Sequence, residues 1–254
     1  MKETRSLLNG LVGCGVALAM VCTLAAQTVN QGAAKVVRLK GAARYVGGSM
    51  DGKLLKLGDV VKPGTVIQTA GKSSVDLVLG DGSAPVARPV PGEMITYHPT
   101  ADQNLVRLWE NTLLSIDKLT FTETGADVVT ETQLDLKAGH IFGMVKKMSA
   151  ASKYEVKIPN GVAGIRGTIY DISAEGLIKV LTGSVVLAYV GPDGTVVTQV
   201  IMGLQQFDAR TGVLMQLPDT DKTGMGRLVK QLPVAVTATA TSRLVDRPLF
   251  VSPH

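Results

Sequence analysis

The chain has 254 residues, 45% of them hydrophobic, 19% charged and 4% aromatic, with a formal net charge of +5. Two cysteines, Cys14 and Cys22, are too few for a disulfide scaffold, and three histidines far apart in the sequence offer no ligand spacing for a zinc centre. The basic surplus is small and dispersed, Lys146-Lys147 and Lys153 with Lys157 being its local clusters, and aromatic side chains for stacking bases are scarce. The composition therefore excludes a nucleic-acid reader.

Lys2 and Arg5 precede an apolar, Gly- and Ala-rich run from Leu7 to Leu24, and the small residues Ala25 and Ala26 follow. That order of charge, apolar run and small-residue exit is the pattern of a signal helix, read here as residues 1–26 with the cut after Ala26. Two other readings stay open. Leu11-Val12-Gly13-Cys14 has the small residue and thiol of a lipidation site, and Leu7 to Ala26 has the length of about 20 residues that an uncleaved anchor needs. All three export the remainder to the periplasm or the outer side of the envelope, with membrane contact expected only through such an anchor or lipid. Both Cys14 and Cys22 lie in this segment, so no disulfide is expected beyond it. Without Lys2, Glu3 and Arg5 the chain carries 24 basic and 20 acidic residues, a net charge of +4.

Residues 33–217 keep one rhythm, short runs of period-two alternation cut by Gly, Asp-Gly or Pro. Such spacing predicts an all-β domain of many short antiparallel strands, in a twisted sandwich or a solenoid-like arrangement, and argues against βαβ units. Val75, Leu77 and Leu79 point one way while Asp76 and Val78 point the other, before the turn Gly80-Asp81-Gly82-Ser83. Leu105, Leu108, Trp109 and Thr112 fit one face of a helix, but the alternation of Val106-Arg107-Leu108 and the Thr-rich surroundings favour a strand. Tyr154, Val156 and Ile158 share a face opposite Lys153, Glu155 and Lys157. Val185, Leu187 and Tyr189 form another strand, folded back by Gly191-Pro192-Asp193-Gly194 onto Thr195 to Ile201. Residues 218–254 change character: Asp219-Thr220-Asp221 resembles a helix cap, and Thr237-Ala238-Thr239-Ala240-Thr241 is of low complexity. This tail is expected to be mostly irregular, with at most one short helix, because its residue types bury little apolar surface.

The most distinctive segment runs Val156-Lys157-Ile158-Pro159-Asn160-Gly161-Val162-Ala163-Gly164-Ile165-Arg166-Gly167-Thr168-Ile169-Tyr170-Asp171-Ile172. It resembles the signature of the FecR-type extracytoplasmic domain, in which a strand ends in Thr-Pro, a Gly/Ala-rich bend follows, and Arg-Gly-Thr opens the next strand. Leu57-Gly58-Asp59 and Leu79-Gly80-Asp81-Gly82-Ser83 are similar to the family's first Gly-Asp turn and its Asp-Gly-Ser hairpin, Leu136-Lys137-Ala138-Gly139-His140-Ile141-Phe142-Gly143 to its strand with a central Gly, and Leu181-Thr182-Gly183-Ser184-Val185 and Met202-Gly203-Leu204-Gln205 to its two closing Gly-centred turns, in order, across roughly residues 35 to 208. Ile158 stands for the usual Thr, Tyr170 for the common Phe, and residues 84–132 read as an insertion.

Pro159, Gly161, Gly164, Arg166, Gly167 and Thr168 receive a structural reading. The glycines suit a tight bend, and alternation with Val162, Thr168, Tyr170 and Ile172 turns Arg166 toward an apolar face, where its guanidinium needs loop carbonyls or a carboxylate such as Asp59 or Asp81. Ala70-Gly71-Lys72-Ser73 lacks the first Gly of a phosphate-binding loop, which would stand at Val66. His98, His140 and His254 are scattered, and no nucleophile elbow occurs. No catalytic residue, metal or cofactor is assigned.

For classical members the resemblance implies a cytoplasmic arm that controls a sigma factor, one membrane span, and this domain outside. Only about six residues precede the apolar run, so that arm is not expected here. The expected function is a non-enzymatic, protein-binding or signal-relay module of the bacterial envelope, whose partner is a receptor or surface component. The rival is a carbohydrate- or peptidoglycan-binding module stacking sugars on Trp109 and Tyr97.

Overall fold

The computed structural model describes residues 29–80, 104–124, 128–191 and 193–232. They form sixteen strands and one α-helix. In chain order these are β1 (Val29–Gln31), β2 (Ala33–Lys40), β3 (Ala43–Val46), β4 (Val60–Val61), β5 (Thr65–Thr69) and β6 (Ser74–Gly80). Next come β7 (Asn104–Leu108), β8 (Leu113–Glu123), β9 (Val128–Ala138), β10 (His140–Met144), β11 (Lys153–Ile158) and β12 (Gly161–Ser173). Then follow β13 (Leu177–Val190), β14 (Val196–Met202), β15 (Gln205–Asp208), β16 (Val213–Gln216) and the helix α1 (Asp219–Gln231).

The long hairpin β12–β13 is the spine. Along one flank of β12, its first half pairs with β11 and its second half with β10. Two wings grow from there: β10-β7-β6-β2-β4 and β11-β9-β8-β5-β3. On the far flank, β13 pairs with β14 through its second half and with β15 through its first. The wings face each other across one core, because Val36, Leu77, Val106 and Ile141 of the first share a cluster with Ile67, Leu114, Leu134 and Val156 of the second. Each such side chain stabilises the fold by about 1.5–3 kcal/mol relative to exposure.

Two of the places where the chain passes from wing to wing are adjacent corners, between β7 and β8 and between β9 and β10. Asn111 (φ 54°) and Gly139 (φ 77°) make the reversals, and a Cβ on Gly139 would lie 2.8 Å from the Asn111 carbonyl oxygen. Buried Thr112 joins the corners: its hydroxyl donates to the His140 carbonyl at 3.1 Å and accepts the His140 N–H at 3.2 Å. The second corner explains a departure from the all-antiparallel expectation. Having left β9 for the other wing along β10, the chain returns to lie beside β9 in the same direction, so β9 and β11 pair in parallel.

Residues 104–124 and 128–132, read from the sequence as part of an insertion, form β7, β8 and the start of β9, each with a neighbouring strand on both sides within the wings. The tail holds the one helix that the sequence allowed for, and residues 233–254 lie outside the described residues. A helix of 13 residues, with Asp219 and Asp221 in its first turn, lies on the outer face of β6, β7 and β10. Gly224 and Gly226 cost it about 1 kcal/mol each, which burial of Met225 and the flanking Leu217 and Leu232 against Val78, Leu105, Phe142 and Met144 offsets. Among the described residues no helix is long and apolar enough to cross a membrane; residues 1–26 lie outside them.

Candidate interaction surface

The Arg-Gly-Thr signature is a β-bulge. Gly167 takes φ 63°, a conformation that costs an L side chain energy, and the β12–β13 register shifts between Arg166 and Ile169. The slip reverses side-chain parity. Thr168, Tyr170 and Ile172 face the interior while Val162 and Arg166 stay exposed. The structure thus corrects the expected anchoring of Arg166, whose guanidinium has no hydrogen-bond partner among the described residues. Asp59 instead accepts bonds from the Tyr45 hydroxyl at 3.0 Å and the Lys56 N–H at 2.9 Å, and Asp81 lies outside those residues.

Thr168 ties the bend instead. Its hydroxyl donates to the Ser184 carbonyl at 2.8 Å and accepts the Ser184 N–H at 3.3 Å, and its own carbonyl accepts the Val145 N–H at 2.9 Å. Gly183, expected to centre a turn, lies within β13 at φ 83°, where a Cβ would strike the Gly167 carbonyl. Gly161 admits the Ala188 carbonyl, 2.6 Å from where its Cβ would be. Gly164 sits in regular strand, and exposed Pro159 begins the β11–β12 turn.

Beneath α1 lies a buried ion pair that the sequence reading did not identify. Arg107 Nε and Nη2 donate to the two carboxylate oxygens of Asp76 at 2.6 and 2.7 Å, with both side chains 5% exposed or less. The signal was present: each charge sits between core residues, so a covered outer face demands a counter-charge. The same guanidinium lies 5.4 Å from the centre of the Trp109 ring, which stacks on His140 at 5.6 Å. Trp109 is thus engaged within the protein by cation–π and stacking contacts, and Tyr97 lies outside the described residues.

The titratable groups are arranged for packing. Burial, assisted by Lys179, lowers the His140 pKa, with Glu110 opposing. Burial raises Asp171 from 3.8 to about 7, with Asp221 adding to the shift and Lys179 opposing it. The Tyr154 and Tyr170 hydroxyls, 3.0 Å apart in the core, are held protonated by burial. Among the described residues no group of three or more His, Cys, Asp and Glu side chains is placed to hold a metal ion. A shallow hollow of about 380 Å³ is lined by Arg44, Leu54, Gln68 and Asn111, and Gln68 accepts two bonds from Arg44 there.

Uncommitted surface lies on the outer face of β12, β13 and β14. In register across it run Val162, Ala188 and Thr198, then Gly164, Val186 and Val200, then Arg166, Ser184 and Met202. Val186, Val200 and Met202 are 46%, 47% and 53% exposed. No charge occurs on the part of this face formed by β14 and the second half of β13; Arg166 of β12 borders it, and β11 beyond carries Lys153, Glu155 and Lys157.

Residues 95–186 match the family model described as "FecR protein", a span from ahead of β7 to the middle of β13, narrower than the resemblance over residues 35 to 208. No curated protein matches the chain. Two crystal structures from Parabacteroides distasonis, each titled that of a "putative anti-sigma factor", are similar at 16% identity with TM-scores of 0.32 and 0.33. The similarity covers 49% of this chain and 55% of each of those chains. Residues 95–186, which include β7 to β12 and the bulge, thus match a FecR-type domain.

Proposed function

We propose that this chain is a non-enzymatic binding module of the bacterial cell envelope that relays a signal through a protein partner. The observation that carries the reading is where polar groups are spent. Asp76 closes on Arg107, Tyr154 on Tyr170 and Thr168 on Ser184, while the exposed apolar face of β14 and the second half of β13, which carries no charge, is left open. A catalytic site needs a nucleophile, a base and an electrostatic stabiliser converging on one cleft. A docking face needs contiguous apolar area with a polar rim. The family match over residues 95–186 supports a signalling role, and the charge, apolar run and small-residue exit of residues 1–26 support an envelope setting.

The test is site-specific photo-cross-linking in cells from position 186, with exposed position 123 on β8 as the control. The expected result is one envelope receptor or surface component captured from position 186 alone, whose output changes when the gene for this chain is deleted. Turnover of a substrate abolished by one carboxylate substitution would overturn the reading. So would retention on insoluble cell-wall polysaccharide that Trp109→Ala abolishes.

A further inference from the structure

β14 is a sheet edge without the usual protection. Its seven residues, Val196-Val197-Thr198-Gln199-Val200-Ile201-Met202, contain no charge, proline or glycine, and among the described strands it pairs with β13 alone. Edges of this length and composition template further strand pairing unless something blocks them. β16, the other uncharged edge nearby, has only four residues.

The hairpin register fixes which main-chain groups of β14 are free. The Gly191 N–H donates to the Thr195 carbonyl, and the Val190 N–H points away from β14 to the Asn160 carbonyl. Because Val190 lies opposite Val196, the alternation of an antiparallel ladder turns Val197, Gln199 and Ile201 toward β13. The N–H and C=O groups of Val196, Thr198, Val200 and Met202 then point outward. Two side chains confirm that parity by acting as stand-ins for a partner strand: the Gln199 amide donates to the Val200 carbonyl at 2.7 Å, and the Gln205 amide oxygen accepts the Met202 N–H at 2.8 Å.

We propose that the occupant of this edge is a second copy of β14, paired antiparallel about a two-fold axis at Gln199. In that register Thr198 lies opposite Val200 and Val196 opposite Met202, so every outward-pointing group meets an outward-pointing group and four residue pairs, each exchanging two main-chain bonds, form without a register slip. The side chains that meet are apolar, hydroxylic or, for Gln199 on the axis, amide, with no like charges opposed. Val196, Thr198, Val200 and Met202 share one face, so pairing joins the two apolar sheet faces into one. Gln199 and Gln205 must release their backbone partners first. This is the self-complementary patch that a two-fold dimer requires. It goes beyond the envelope-partner reading, which position 186 tests separately and which stands if self-pairing fails.

The test uses the exported chain carrying Cys14→Ser and Cys22→Ser, so that no native thiol interferes. Gln199→Cys places two thiols at a pair whose Cα atoms approach to about 4.5 Å, within disulfide reach, whereas Thr195→Cys, just ahead of the strand, holds its thiols far apart. The expected result is a covalent dimer from position 199 and none from position 195 under the same mild oxidation. In a concentration series by sedimentation or light scattering, the parent mass is twice that of one chain. Thr198→Pro, which removes an outward donor and no β13 bond, and Val200→Lys, which places like charges at the joint, each halve it with an unchanged circular dichroism spectrum. A parent that is monomeric throughout without the position-199 cross-link overturns the proposal. So does a dimer that Val200→Lys leaves intact, or a position-199 cross-link to a different protein.

Discussion

The ring of Tyr170 lies over Gly143, its direct partner across the β10–β12 ladder, and occupies the space that a Cβ at position 143 would need. The pair lets a fully buried phenol cross the core and reach the Tyr154 hydroxyl at 3.0 Å. A glycine in the strand is the cost of seating that ring. Gly143→Ala should therefore lower stability by about 3 kcal/mol or more, through overpacking with no open direction for relief. Urea unfolding followed by tyrosine fluorescence checks this, and a loss below about 1 kcal/mol would contradict it.

The two phenols should be coupled. Tyr154→Phe or Tyr170→Phe alone leaves the other buried hydroxyl unpaired, at about 1–3 kcal/mol. The double substitution should cost less than the sum of the singles, because it removes both polar groups. A double-mutant cycle that adds within error would show that the hydroxyls do not depend on each other.

Arg107→Ala leaves Asp76 charged beneath α1 and should destabilise by about 3–5 kcal/mol, whereas replacing both partners with apolar residues of similar volume should be close to neutral. Because α1 covers the pair, amide protons of the helix should lose exchange protection in the single variant. Hydrogen exchange read by mass spectrometry checks the order of the two effects.

Asp171 faces Phe142 of β10 and Lys179 of β13 across the sheet, with Asp221 of α1 bound to Lys179 at 3.0 Å. Its pKa is raised from 3.8 to about 7, chiefly by burial. A carboxyl with a folded pKa above its unfolded value stabilises most when protonated in both states, below about pH 4. That contribution declines as pH rises toward 7 and is flat above it. Asp171→Asn removes this slope, so its stability relative to the parent should be higher at pH 8 than at pH 5. Denaturant midpoints at the two values check the sign; an unchanged difference would count against it.

The signature divides its labour. Arg166→Ala should change the melting temperature little, because the side chain is exposed and unpaired among the described residues. Thr168→Val should lower stability by about 1–3 kcal/mol by leaving the buried Ser184 amide and carbonyl without their partner. Thermal unfolding of the two variants in parallel distinguishes them.

The sequence by itself determined the strands and their faces. Tyr154, Val156 and Ile158, and likewise Val185, Leu187 and Tyr189, are buried as alternation required, because a period of two leaves each side chain one of two choices. The Gly191 to Gly194 hairpin was legible for the same local reason, a turn needing particular residue types. What lay beyond it was parity across irregularities and the cover of outer faces. One extra residue at Gly167 reverses which side of β12 each residue occupies, so Arg166 moved from the expected interior to the surface. Asp76 and Arg107 are 31 residues apart and become a pair only when β6 and β7 lie side by side. The helix at 219–231 is weak in propensity and is held by Leu217, Met225 and Leu232 meeting the sheet. The open edge of β14 is likewise a property of the assembled sheet, since whether a strand has a second neighbour is decided by how the rest of the chain is arranged around it.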